Sequence, residues 1–70
     1  MKIILNGEPL EIGAGTTVAM LVQRLSDETG RDPRGVAVER NREIVPKSLH
    51  AATLLEEGDQ IELVQFVGGG

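Results

Sequence analysis

The sequence predicts an α+β fold in which one amphipathic helix crosses one face of a mixed sheet. Three observations support this. Asn6-Gly7 separates two short apolar runs, Val18, Leu21, Val22 and Leu25 recur at helical spacing, and β-branched segments return both after the helix and near the end of the chain. With 70 residues the chain is one small domain, because a chain of this length buries only about 60% of the surface its unfolded form exposes. Residues 1–70 are therefore read as a single domain with no room for a separate catalytic unit.

Ile3-Ile4-Leu5 and Leu10-Glu11-Ile12 flank Asn6-Gly7, a pair that tolerates the positive φ angles of a type I′ turn, so the chain opens on a β-hairpin. Gly13 and Gly15 break the second strand, and the hydroxyls of Thr16-Thr17 can cap the free N–H groups of a helix start. The i, i+3, i+4, i+7 spacing from Val18 to Leu25 predicts a helix over about Val18 to Thr29, with Gly30 suited to the left-handed residue that ends it. Arg31-Asp32-Pro33-Arg34-Gly35 is polar and rich in breakers, which makes it a loop. Val36 to Arg40 reads as a strand, Asn41-Arg42 as a turn, and Glu43-Ile44-Val45 as a brief strand stopped by Pro46. Residues 47–57 have no clean period, and Leu49, Ala52, Leu54 and Leu55 are expected to tuck under a compact loop or a single helical turn. Gly58-Asp59 is a turn, Gln60 to Val67 is the last strand, and Gly68-Gly69-Gly70 follows.

A helix of this kind buries its stripe only by lying across one face of the sheet, leaving the other face in water. The first and last strands pair naturally in parallel, since a long excursion containing the helix separates them. That arrangement is a ubiquitin-like β-grasp, here with a mixed sheet, one main helix packed across one face and a flexible Gly-rich C-terminal tail at residues 66–70.

Composition narrows the function. Hydrophobic residues make up 40% of the chain and Phe66 is the one aromatic, so the core is aliphatic. The absence of Cys excludes disulfides, thiolate metal sites, a nucleophilic thiol and sulfur carried on a side chain. Seven basic residues against eleven acidic give a net charge of −4, and the basic ones are scattered. This argues against a nucleic-acid partner and favours a basic protein one. No apolar run approaches the roughly 20 residues that span a bilayer, and the opening meets a turn too early for a signal peptide. The expected location is the cytoplasm, with no membrane partner.

Catalytic candidates are few. His50 is the one histidine, and with no cysteine and no obvious carboxylate pairing it assembles neither a triad nor a metal site from this chain alone, so it is read as a solvated or packing residue. Gly13 and Gly15 before a helix resemble a phosphate loop, yet Val18 stands where a dinucleotide fingerprint needs a third glycine, and the Gly-Lys-Ser/Thr of a P-loop is missing. A bend followed by a cap is the simpler reading. Asp27-Glu28 and Glu56-Glu57 read as solvated charges or contacts to a basic partner.

Three terminal glycines add nothing to a core and maximise the backbone freedom lost on ordering. Read as a loose terminus they need no function. Read as a reach, the five positions Phe66 to Gly70 span roughly 17 Å at ~3.3–3.6 Å per extended residue and pass where no side chain would fit. Period 2 in the last strand adds a second signal. If Ile61 and Leu63 face the helix, Glu62, Val64 and Phe66 face the open side, and by the same parity Ile3 and Leu5 point inward while Ile4 joins Val64 outside. An exposed apolar strip beside a flexible end looks like a docking site, unless a loop covers it or strand twist turns Phe66 inward.

The whole chain resembles the ThiS-type sulfur carrier proteins of thiamin thiazole biosynthesis. The resemblance is carried by Ile4-Leu5-Asn6-Gly7-Glu8, by Thr17-Val18-Ala19, by Val36 through Ser48 with its Asn-Arg-Glu-Ile-Val-Pro-Lys-Ser stretch, by Leu55 through Val64, and by the ending Gln65-Phe66-Val67-Gly68-Gly69-Gly70. It implies that the chain is a protein co-substrate and not an enzyme. A ThiF-like adenylating enzyme, using ATP and magnesium that this chain does not itself bind, would convert the Gly70 carboxylate into an acyl-adenylate. A sulfur donor such as a cysteine desulfurase would then supply the sulfur that leaves a thiocarboxylate, for delivery to a ThiG-like thiazole synthase. Gly68 and Gly69 would give passage into partner active sites, and Ile4, Glu62, Val64, Phe66 and Val67 would form the partner-binding strip. The same tail also suits a carrier for molybdopterin, tRNA thiolation or an amino-acid pathway, a ubiquitin-like modifier joined to target lysines, or a binding domain whose tail is inert.

Overall fold

The computed structural model describes residues 1–65 of the chain. Its first element is the expected hairpin. Strand β1 (Lys2–Leu5) pairs antiparallel with β2 (Glu8–Glu11), Ile3 opposite Leu10 and Ile4 opposite Pro9. Asn6 at φ 49° and Gly7 at φ 85° supply the two consecutive left-handed residues that a type I′ turn requires. The second strand lies slightly earlier than its apolar residues suggest, because the two-residue turn sets the register from Glu8 onward.

Helix α1 (Val18–Thr29) has the limits its spacing predicts. Thr17 is the N-cap, its Oγ1 accepting a hydrogen bond from the Met20 N–H at 3.1 Å. Gly30, left-handed at φ 73°, closes the other end by donating its N–H to the Ser26 carbonyl at 2.8 Å. The bend before the helix is a local device: the Thr16 hydroxyl donates to the Gly13 carbonyl at 2.6 Å, and no phosphate-loop geometry is needed to explain the glycines.

A short 3-10 turn (Pro33–Gly35) leads into β3 (Val36–Arg40), which pairs antiparallel with β4 (Glu43–Val45) across Asn41-Arg42, both of positive φ. Strand β5 (Gln60–Gln65) then inserts between the two hairpins. It runs antiparallel to β3, with Val38 opposite Leu63, and parallel to β1, with Leu5 beside Ile61. The sheet order is β2-β1-β5-β3-β4, the ubiquitin-like β-grasp order, with the helix on one face. The last strand was expected to reach Val67; Phe66, Val67, Gly68, Gly69 and Gly70 lie outside the described residues.

The core follows the two periodicities. Val18, Leu21 and Val22 of α1 meet Ile3, Val38 and Ile61 of the sheet, with Ile12 and Leu55 closing the sides and Leu5, Leu25 and Leu63 packed at the margin. The alternation expected for β1 and for β5 as far as Val64 is therefore the one observed.

Residues 47–57 depart from expectation. Lys47–Ala52 forms a six-residue 3-10 helix, but Leu49, Ala52 and Leu54 are exposed, and of the four residues expected to tuck inward only Leu55 is buried. The cause is a short extended pairing: Val18 N–H donates to the Thr53 carbonyl and Leu55 N–H to the Thr16 carbonyl, each at 2.9 Å, in an antiparallel bridge of Thr17 with Leu54. Alternation along that extended stretch sends Leu55 inward and Leu54 outward. His50 fills the space beneath the 3-10 helix instead. It is 7% exposed, and its Nε2 lies 3.0 Å from the Val45 carbonyl, so it is a packing residue.

Candidate docking face and the root of the tail

Strand β5 has one side against the helix and one side open. Its start is fixed by Asp59, 5% exposed and bonded through its carboxylate to three other residues. Asp59 Oδ2 accepts from Arg40 Nε at 2.8 Å and from the Glu56 N–H at 2.8 Å, and Oδ1 accepts from Asn41 Nδ2 at 3.1 Å. Arg40 also reaches the Glu56 carboxylate at 3.4 Å. Asn41 adds the Gln60 N–H as a donor to its own side-chain oxygen at 2.9 Å. Burial pushes the Asp59 carboxyl up, but the hydrogen bonds from the Glu56 N–H, Asn41 and Arg40, with the guanidinium charge, outweigh it and leave the pKa below the ordinary carboxylate value. These bonds join the β3–β4 turn, the 56–59 loop and the base of β5. In the sequence Gly58-Asp59 shows only as a turn, because its partners lie 18 and 19 residues away.

From that base the outward side chains of β5 run along the open face. Glu62 is exposed and Val64 is 48% exposed, with half-buried Ile4 of β1 beside Gln60 on the same side. The three described members of the sequence-derived strip are thus brought to one face. Phe66, Val67 and the glycines Gly68, Gly69 and Gly70 fall outside the described residues. Two further residues complete the face. Glu39 of β3 stands opposite Glu62, and Ile44 of β4, 64% exposed, stands opposite Glu39. Ile44 was legible by parity, since Val45 is its inward neighbour opposite Val38. A shallow hollow of about 320 Å³ lies here, lined by Ile4, Gly7, Glu39, Arg42, Gln60 and Glu62.

Chemically this face offers carboxylates and aliphatic side chains, with Arg42 and Gln60 also lining its hollow. Among the described residues no group of three or more His, Cys, Asp or Glu could hold a metal ion, and no helix is long and apolar enough to cross a membrane. A second hollow between α1 and the sheet is lined chiefly by Leu5, Val22, Leu25, Val36 and Leu63, and its polar rim is already engaged: Asn6 Oδ1 accepts from the Leu63 N–H at 2.9 Å, and the Ser26 hydroxyl donates to the Arg31 carbonyl.

The fold defines a ubiquitin-like β-grasp domain, and among the described residues the outward side of its terminal strand is open. Comparison narrows the class: the ThiS family model matches residues 3–70, and the chain belongs to the ThiS family. The sulfur carrier protein ThiS of Escherichia coli (strain K12) is 34% identical over 70 residues, the whole of both chains. Two proteins named thiazole synthase, from Paramagnetospirillum magneticum and Magnetococcus marinus, are 49% and 50% identical over all 70 residues of this chain, which spans 20% of the length of each. Among solved structures, the crystal structure of the thiamine biosynthesis protein ThiS from Geobacter metallireducens superposes with a TM-score of 0.78 at 30% identity, covering 100% of both chains. The ubiquitin of Caldiarchaeum subterraneum superposes with a TM-score of 0.67 at 20% identity, over 99% of this chain and 94% of its own, and shows the shared fold.

Proposed function

We propose that this chain carries sulfur for the thiazole of thiamin on the carboxylate of Gly70. A carboxylate is a poor electrophile, so its activation requires a better leaving group. ATP supplies one: attack of the Gly70 carboxylate on the α-phosphorus expels pyrophosphate and leaves an acyl-adenylate, whose carbonyl then accepts sulfur as AMP departs. When the donor is a persulfide, its terminal sulfur forms an acyl disulfide as AMP leaves, and an external thiol cleaves that S–S bond, itself ending in a disulfide, to release a thiocarboxylate, a soft nucleophile. The chain contributes recognition and reach, while a ThiF-like adenylating enzyme contributes the ATP site, the magnesium and the catalytic groups, and a donor such as a cysteine desulfurase contributes the sulfur. A chain without cysteine avoids reaction between its activated end and a thiol of its own.

One observation carries the reading: the family match extends through Gly68, Gly69 and Gly70, which in the sequence come two residues after β5, the strand whose outward side chains form the open face. The acceptor we propose is thiazole synthase, because segments 49% and 50% identical to this chain occur inside proteins of that name. Placing a carrier in the same polypeptide as its consumer raises their effective concentration, which suits a sulfur that must not be lost to water. The test is intact-protein mass spectrometry after incubation with ATP, the adenylating enzyme and a sulfur donor. Exchange of one terminal oxygen for sulfur supports the reading, and an unchanged mass with all components active contradicts it. Conjugation to target lysines would appear instead as higher-mass species on a denaturing gel.

A further inference from the structure

Glu39 and Glu62 face each other across the β3–β5 pair on the open side of the sheet. Directly opposed like charges destabilise an antiparallel pair, and their Cβ atoms stand only about 4.5–5.5 Å apart. Neither carboxylate has an ion pair or hydrogen bond among the described residues, although Arg42 lines the same hollow. The fold itself gains nothing from this placement. Around the two acids stand Ile4, Ile44, Val64 and Ala37, the last opposite Val64. An acidic pair framed by accessible aliphatic side chains has the charge and shape complement of one planar cation set in an apolar surface.

We propose that the Glu39–Glu62 pair receives an arginine of the adenylating enzyme, while Ile44, Val64 and Ile4 take the apolar side chains around it. Arginine fits better than lysine because its fork of donors reaches two carboxylates at once and its weaker hydration makes burial easier. The adenylating enzyme is the occupant because a free carboxylate must be activated before any transfer, whichever acceptor follows. Docking then neutralises a repulsion that the free chain sustains. The inference rests on the proposed sulfur-carrier function and specifies the partner chemistry of its docking face.

The experiment is calorimetric titration of the unaltered chain and the Glu39→Gln/Glu62→Gln variant into the adenylating enzyme at several salt concentrations, with thermal melting of both chains alongside. The variant is expected to bind about tenfold or more weakly with a shallower salt dependence, while its melting temperature stays the same or rises. Equal affinity overturns the proposal, as does a loss of melting temperature that parallels the loss of affinity. If the unaltered chain is not adenylated, the sulfur-carrier reading falls and this inference falls with it; if it is adenylated and the variant binds as tightly, only this inference falls.

Discussion

Arg40 donates from Nε to Oδ2 of Asp59 across 2.8 Å, tying the end of β3 to the first residue before β5. The side chains are 26% and 6% exposed, so the pair is partly withdrawn from water and closes a loop that local sequence does not. This bond fixes the start of β5.

Asp59→Asn keeps the size of the side chain but removes the charge and sets an amide N–H₂ against existing donors. A loss of about 2 kcal/mol is expected, in the range for hydrogen bonds to a charged group. Urea denaturation measures it, and a change below about 0.5 kcal/mol would place the network among surface contacts of little consequence.

The same acid sets a pH dependence. Its folded pKa lies below the ordinary value, so its contribution is complete above the unfolded carboxylate pKa of about 3.9 and is lost as pH falls through the folded value. The melting-temperature difference between the unaltered chain and Asp59→Asn should therefore be constant from pH 7 to about 5 and shrink below about 4. A difference that grew on acidification would have the wrong sign for this mechanism.

Val64→Ser and Ile44→Ser change the open face where the side chains already meet water. Stability should move by no more than about 0.5 kcal/mol, whereas KM for the chain in the adenylation reaction should rise by about tenfold for the pair. Unaltered adenylation kinetics in the double variant would remove the face from the docking surface.

Phe66→Ala follows the same logic beyond the described residues. On the sequence-based expectation that Phe66 shares the side of Val64, truncation should weaken partner binding more than it lowers the melting temperature. A large drop in melting temperature would put the ring in the core.

The parts of the fold legible in the sequence are those decided within a few residues. Asn6-Gly7 announces its turn because both positions need positive φ, and Thr17 and Gly30 mark the ends of α1 because caps are local chemistry. Alternation placed Ile3 and Ile61 inward and Val64 outward, and with it the three described members of the expected strip, Ile4, Glu62 and Val64. The Lys47–Ala52 segment was not legible, since a 3-10 helix followed by an extended bridge to Thr17 obeys no single period; of the four residues expected inward only Leu55 is buried, and His50 is buried in place of the others. Asp59 escaped notice because its partners come from β3 and its turn, and the Glu39–Glu62 opposition because it appears only once the register of β3 on β5 is known.

The most direct test removes the end of the chain. A version lacking Gly69 and Gly70, with its melting curve shown to be unchanged, should acquire no thiocarboxylate and support no thiazole formation when supplied with the adenylating enzyme, a sulfur donor and thiazole synthase. Thiazole formation at the rate of the unaltered chain would contradict sulfur carriage at Gly70.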